Sequence, residues 1–158
     1  MNKLRGQFAF VIYDKITNEL FMARDRIGIK PLYYSVNDNW ILFGSEIKAI
    51  ELSKLIEFEP DIDSYLAYLR HLCVPADSTG NKNIKKLEPG QFIRIDKNGK
   101  ISKKIYWDPF TFSVNHDLNE KNVVEELDRL LNESVEYRKV SDVEVGLFLS
   151  GGLDSVSY

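Results

Sequence analysis

One cysteine among 158 residues, Cys73, leaves nothing from which to build an internal disulfide framework or a cysteine-rich zinc site. Taken alone it reads as a packing residue, because free cysteine is usually buried and apolar. Histidine is almost as scarce: His71 and His116 have no second histidine or cysteine at ligand spacing, so no metal role is assigned. No apolar run approaches the ~20 residues of a membrane-spanning helix. The opening residues, Met1 to Gly6, lack the apolar core of a signal peptide. Strong charge of one sign is also missing: the net charge is −3, which gives no basic field for nucleic acid. Lys82, Lys85 and Lys86 cluster, but read as a solvated loop. These absences suggest a cytoplasmic protein with neither nucleic acid nor membrane as partner.

What is present divides into two kinds of pattern. Phe8 to Tyr13 is rich in aromatic and β-branched residues, and with Glu19 to Arg24 across the turn 14–18 it predicts a hairpin. Leu32 to Val36 and Trp40 to Phe43 predict a second hairpin. Ser45 is placed as the cap of a short helix over 46–50. Asp61 or Asp63 can cap a helix carrying Tyr65, Leu66, Tyr68 and Leu69. Residues 75–83 read as a polar loop. Strands over 90–95 and 101–107 flank Asn98-Gly99, a hairpin dipeptide. A domain boundary is expected between about Asp108 and Asn119. After it, Asn119 caps a helix whose apolar face carries Val123, Val124, Leu127, Leu130, Leu131 and Val135. Val143 to Leu149 then reads as a strand of parallel-sheet type running into Ser150-Gly151-Gly152-Leu153-Asp154-Ser155.

That last hexapeptide carries the chemistry. Adjacent glycines let backbone N–H groups turn toward a ligand, and the hydroxyls of Ser150 and Ser155 add donors. It is not a Walker loop, since the Gly-Lys-Ser/Thr ending is absent. The bland alternative is a serine-glycine turn after a buried strand. The six positions instead match the S-G-G-x-D-S signature, and this part of the chain resembles the ATP-pyrophosphatase family. The resemblance implies cleavage of ATP between its α- and β-phosphates, with Ser150, Gly151, Gly152, Asp154 and Ser155 holding pyrophosphate and Asp154 orienting Mg²⁺ or the loop itself.

The earlier residues narrow the family. Leu4 to Phe10, Ala23-Arg24-Asp25-Arg26-Ile27-Gly28-Ile29-Lys30-Pro31-Leu32-Tyr33-Tyr34 and Ser45 to Ile50 look like the second half of a class II glutamine amidotransferase domain. The linking stretch, from Leu87-Glu88-Pro89-Gly90-Gln91 through Tyr106-Trp107, continues the likeness. A class II glutaminase followed by S-G-G-x-D-S is the layout of the glutamine-hydrolysing asparagine synthetase family. The resemblance implies an α+β N-terminal part, residues 1–110, forming part of an Ntn-hydrolase-type antiparallel sheet sandwich. Residues 119–158 would begin an α/β adenine-nucleotide α-hydrolase-like domain. It implies glutamine, aspartate and ATP as substrates with Mg²⁺, and leaves a homodimer of the full-length protein open. It also makes Asp25 the residue that binds the α-amino group of glutamine. Read without the motif, Asp25 is more simply an ion pair with Arg24 or Arg26, or a turn cap.

The family's nucleophile is an N-terminal cysteine, and this chain starts Met1-Asn2. No catalytic residue is therefore assigned. The stretch is expected to be incomplete, inactive by itself, and poorly soluble through exposed strand edges. Two other functions fit the same text. One is an amidotransferase of this layout acting on another carboxylate, β-lactam-forming relatives included. The other is a non-catalytic interaction module.

Overall fold

A computed structural model describes residues 1–158 except 2, 38, 76, 114–118 and 153–158. It divides into two compact units, Met1–Thr111 and Phe112–Tyr158. The described architecture is mixed α/β, and every strand pairing in it is antiparallel.

The first unit holds two sheets. Strands β1 (Ala9–Asp14) and β2 (Glu19–Arg24) form a hairpin in register Val11↔Met22 and Ile12↔Phe21. Asn18 closes its turn at φ 56°, a left-handed conformation that asparagine tolerates better than most residues. Strands β3 (Tyr33–Val36) and β4 (Ile41–Gly44) form the second hairpin. Helix α1 (Ile47–Glu51) packs back on both of them. Its N-cap is Glu46, with no side-chain capping bond, so the Ser45 cap expected from sequence is displaced by one residue.

Helix α2 (Ile62–His71) is capped by Asp61, whose carboxylate accepts from the backbone N–H and the hydroxyl of Ser64. It ends at Leu72 in the left-handed conformation, φ 56°. That turn carries Cys73 beyond the last helical turn, where it is exposed rather than packed. Strand β5 (Lys85–Lys86) pairs with Tyr33 and Tyr34, so two of the three clustered lysines lie in a sheet and not in a solvated loop. The third, Lys82, pairs with Glu59 at 2.7 Å.

Strands β6 (Gln91–Ile95) and β7 (Ile101–Ile105) form the third hairpin, and β6 joins β2. The larger sheet therefore runs β1-β2-β6-β7 and the smaller β4-β3-β5. Leu20, Met22, Ile93 and Ile95 of the larger sheet share a buried cluster with Leu32 and Leu87, and Tyr34, Val36 and Ile41 of the smaller one pack against it. Each such side chain contributes roughly 1.5–3 kcal/mol by leaving water. The opposite face of the larger sheet carries a row of rings, Phe10–Phe21–Phe92, with centroids 6.1 and 5.1 Å apart. A short 3₁₀ turn, Pro109–Thr111, closes the unit.

In the second unit, helix α3 (Glu120–Arg138) begins at Asn119, whose side chain accepts the Asn122 N–H at 2.9 Å. Arg129 bridges Glu126 and Glu133 along one side. The strand expected over 143–149 is not formed. A strand needs a neighbour to receive its ladder of hydrogen bonds, and no strand is described elsewhere in this unit. No described helix is long and apolar enough to cross a membrane.

Candidate functional site

The resemblance directs attention to two places, the Arg24-Asp25 corner in the first unit and the glycine loop in the second. The corner begins where β2 ends. Its backbone turns through residues 26–31, a stretch with no strand or helix of its own. Such a loop must find partners for its N–H and C=O groups elsewhere.

Asp25 and Arg24 supply them from opposite polarities. The Asp25 carboxylate, in a residue only 1% exposed, takes the backbone N–H groups of Ile27 (3.2 Å) and Ile29 (3.0 Å) on Oδ1, and those of Lys30 (3.0 Å) and Phe8 (3.3 Å) on Oδ2. The neighbouring Arg24 donates to the carbonyl oxygens of the same loop: Nε to Lys30 at 2.8 Å and Nη2 to Gly28, while Nη1 reaches Leu87 at 2.6 Å. Arg24 is itself buried, so its charge is held by three carbonyl dipoles and the adjacent carboxylate. Burial alone would raise the Asp25 pKa, but the backbone N–H bonds outweigh it and hold the carboxyl below its ordinary value.

The corner is locked to the rest of the unit at Gly90. Its N–H donates to the Asp25 carbonyl at 2.9 Å, and its own carbonyl accepts from Tyr106 (2.8 Å) and Trp107 (3.2 Å). Gly90 sits at φ +65°, and a Cβ there would collide with the Trp107 carbonyl oxygen, so no other residue fits without moving backbone. The Tyr106 hydroxyl donates to the Arg24 carbonyl at 2.7 Å, and burial raises its pKa.

Asp25 was singled out in the sequence for an ammonium group. A carboxylate offers about four lone-pair sites. The four amides already fill them, so the geometry makes Asp25 the organiser of its loop. Arg24 and Gly90 were not singled out. A Pro-Gly step before a strand is a turn signal, but nothing local shows that Trp107 passes over it. Beside the corner lies a pocket of about 340 Å³ lined by Arg26, Ile27, Pro89, Gln91 and Trp107, among others. A larger hollow of about 670 Å³ lies over the ring-bearing face, edged by Phe21, Phe92 and Arg94.

In the second unit, Gly151 stands at φ +76° with open space where a Cβ would point, so backbone conformation and not crowding favours glycine there. The Gly152 N–H faces the Ser150 hydroxyl at 3.4 Å. Asp154 and Ser155 lie outside the described residues. Among the described residues no group of three or more His, Cys, Asp or Glu side chains is placed to hold a metal ion.

The comparisons with known proteins fall on the same two regions. The family model described as a glutamine amidotransferase domain matches residues 1–107. The chain belongs to the glutamine amidotransferase domain family. A second model, asparagine synthase, matches residues 126–157. Similar proteins include asparagine synthetase [glutamine-hydrolyzing] 1 of Bacillus subtilis, 38% identical over 98% of this chain and 24% of its own length. Asparagine synthetase [glutamine-hydrolyzing] 3 of the same organism is 37% identical over 98% of the chain and 25% of its own length. Amidase chry2 of Gibberella zeae is 36% identical over 99% and 23%. The chain thus spans about a quarter of the length of these curated relatives. In this glutamine amidotransferase relative, the matched domain ends four residues before the first structural unit does.

Proposed function

We propose that this chain is part of a glutamine-hydrolysing asparagine synthetase, with residues 1–110 in its class II glutaminase half and residues 119–158 in its ATP-pyrophosphatase half. The observation that carries the reading is the order of the two family matches, glutamine amidotransferase over 1–107 and asparagine synthase over 126–157. The antiparallel sheets of the first unit are then part of an Ntn-hydrolase-type sandwich. The second unit begins a nucleotide-binding α/β domain.

In that reading glutamine is hydrolysed to glutamate and ammonia. ATP adenylates the β-carboxylate of aspartate and releases pyrophosphate. Ammonia then attacks the activated carbonyl, and AMP leaves as asparagine forms. Adenylation is needed because a carboxylate oxygen is a poor leaving group until it is esterified. The chain's part in the second step is the loop at 150–155. The backbone of Gly151, at positive φ, suits a turn of inward-facing amides, and the Ser150 hydroxyl adds a donor for a phosphate oxygen. Ser155 would add another, and Asp154 is the carboxylate that would face Mg²⁺, which neutralises pyrophosphate charge when bound. For Asp25 the reading is a positioning role. It fixes the loop at 26–31, and direct contact with an α-amino group would displace one of its four amides. The compartment proposed is the cytoplasm.

A chimera tests this. Residues 1–158 replace the matching segment of the Bacillus subtilis enzyme, and asparagine formation is followed with glutamine or with ammonia as nitrogen source. The expected result is asparagine from both sources, with both activities lost in Gly151→Val. A folded chimera that releases no pyrophosphate in the presence of aspartate and ATP would overturn the reading. A second reading, amidation of another carboxylate, is favoured by the amidase-named relative at nearly the same identity. It predicts pyrophosphate release with a different acceptor.

A further inference from the structure

Helix α2 reverses the usual order of a surface helix, which turns its large apolar residues toward its own domain. Here the small residues face inward: Ser64 is 2% exposed and Ala67 half-buried. Ile62, Leu66 and Leu69 recur at helical spacing and so share one face, yet they are 58, 57 and 75% exposed. The helix meets the rest of its unit near its start. The Asp61 N–H donates to the Gly80 carbonyl at 3.1 Å, and the Tyr65 ring lies against Gly80. Asp63 and Arg70 border the apolar stripe. They are seven residues apart, about two helical turns, and therefore lie on the same flank of it. Neither is in an ion pair among the described residues.

We propose that this face receives a second copy of the chain, α2 against α2 and antiparallel. Charge complementarity selects that partner. When identical helices pair antiparallel about a two-fold axis, each flank meets the same flank of the other copy. Asp63 and Arg70 stand equally far from the midpoint between Leu66 and Ala67. An axis through that midpoint sets each Asp63 opposite the partner's Arg70, while Leu66 and Leu69 of both copies fill the centre. The opposed helix dipoles favour the same orientation. In a parallel pair the charged flank would instead face the flank that carries Tyr68, and both charges would lack a counterpart. The helix has ten residues and is about 15 Å long, so the contact falls below the size of a stable interface. The dimer is accordingly weak and depends on concentration.

Sedimentation velocity of the whole chain, over about a hundredfold range of concentration, reads this dimer directly. Leu69→Glu, which puts a charge into the apolar centre twice per dimer, should leave only monomer. Asp63→Arg and Arg70→Asp should each weaken association by about tenfold, because each sets like charges opposite one another. Asp63→Arg combined with Arg70→Asp in one chain should restore it, since the pairing is inverted but intact. The two single variants mixed in equal amounts should pair with each other in preference to themselves. All three positions are exposed, so the fold tolerates the changes, and circular dichroism checks that it does. A monomer at every concentration, or single and double charge variants that behave alike, would overturn the inference. So would association that survives Leu69→Glu, which would assign it to another apolar surface such as the Phe10–Phe21–Phe92 face. None of these outcomes depends on asparagine synthesis.

Discussion

Met22 and Ile93 in the first unit and Leu147 and Leu149 in the second are side chains of one kind, yet their surroundings differ completely. The first pair is 0% and 1% exposed, the second 58% and 70%. Hydrophobicity does not account for the difference, since both segments are apolar runs. The first unit supplies neighbours: β2 receives β1 on one edge and β6 on the other, and a second sheet covers the inner face. The segment over 143–149 has no described strand beside it within its own unit. The apolar stripe of α3, Val123, Leu127 and Leu130 among others, is likewise exposed. A helix closes its own hydrogen bonds and so forms without a neighbour, whereas a strand does not.

The comparison is tested most severely at Asp25. Asp25→Ala strands up to four buried amides and should lower the stability of the first unit by about 3–4 kcal/mol. Urea unfolding followed by tryptophan fluorescence reads this directly, because Trp40 and Trp107 both belong to that unit. The pH dependence has a definite sign. The folded pKa of Asp25 lies below its ordinary value, so its contribution is complete above about pH 4 and fades as pH falls further. Asp14, Asp61 and Asp96 are depressed as well, so the gap between wild type and Asp25→Ala isolates this residue: it should narrow in acid. A gap that stays constant down to pH 3 would mean the carboxylate is not what holds the loop.

Large-to-small substitutions then set the two units side by side. Met22→Ala should cost about 2–4 kcal/mol in the same unfolding experiment. Leu127→Ala, at a position 54% exposed, should change helix stability by less than about 0.5 kcal/mol. Equal effects would show that α3 has a covering the described residues do not provide. Confined to one helix end, Asn119→Ala removes the α3 cap and should cost about 1 kcal/mol of local helix stability, seen in amide exchange of the first turn and not in the fluorescence midpoint.

Local chemistry made much of this legible in advance. The three hairpins announce themselves through turn residues between β-forming runs, and Asp61 and Asn119 stand where capping aspartate and asparagine should. The pairing of β2 with β6 does not, because it joins residues some seventy positions apart and leaves no mark in either segment. The two-residue strand at Lys85 and Lys86 is shorter than any periodicity can reveal. The 143–149 segment shows the reverse error: its composition suits a strand, and composition cannot report a missing neighbour. Asp25 drew attention as one half of an Arg-Asp pair in a motif, but the four amides it gathers are set by a loop geometry the motif does not spell out. Cys73 was misjudged for a related reason, since burial follows from where the α2 cap sends the chain.

The Arg24-Asp25 corner separates what shapes the loop at 26–31 from what the loop displays. Its backbone path is set from beneath by one guanidinium and one carboxylate, neither of which recognises the identity of a loop side chain. Ile27 and Ile29 meanwhile point to the exterior, 67% and 48% exposed. Sequence change at these positions leaves the scaffold intact, so variation in what this surface contacts can accumulate without a matching loss of fold. Two adjacent residues at the end of one strand thereby give Ile27 and Ile29 their freedom to diverge, while Gly28 between them, at φ +72° and with Pro89 where a Cβ would stand, does not share it.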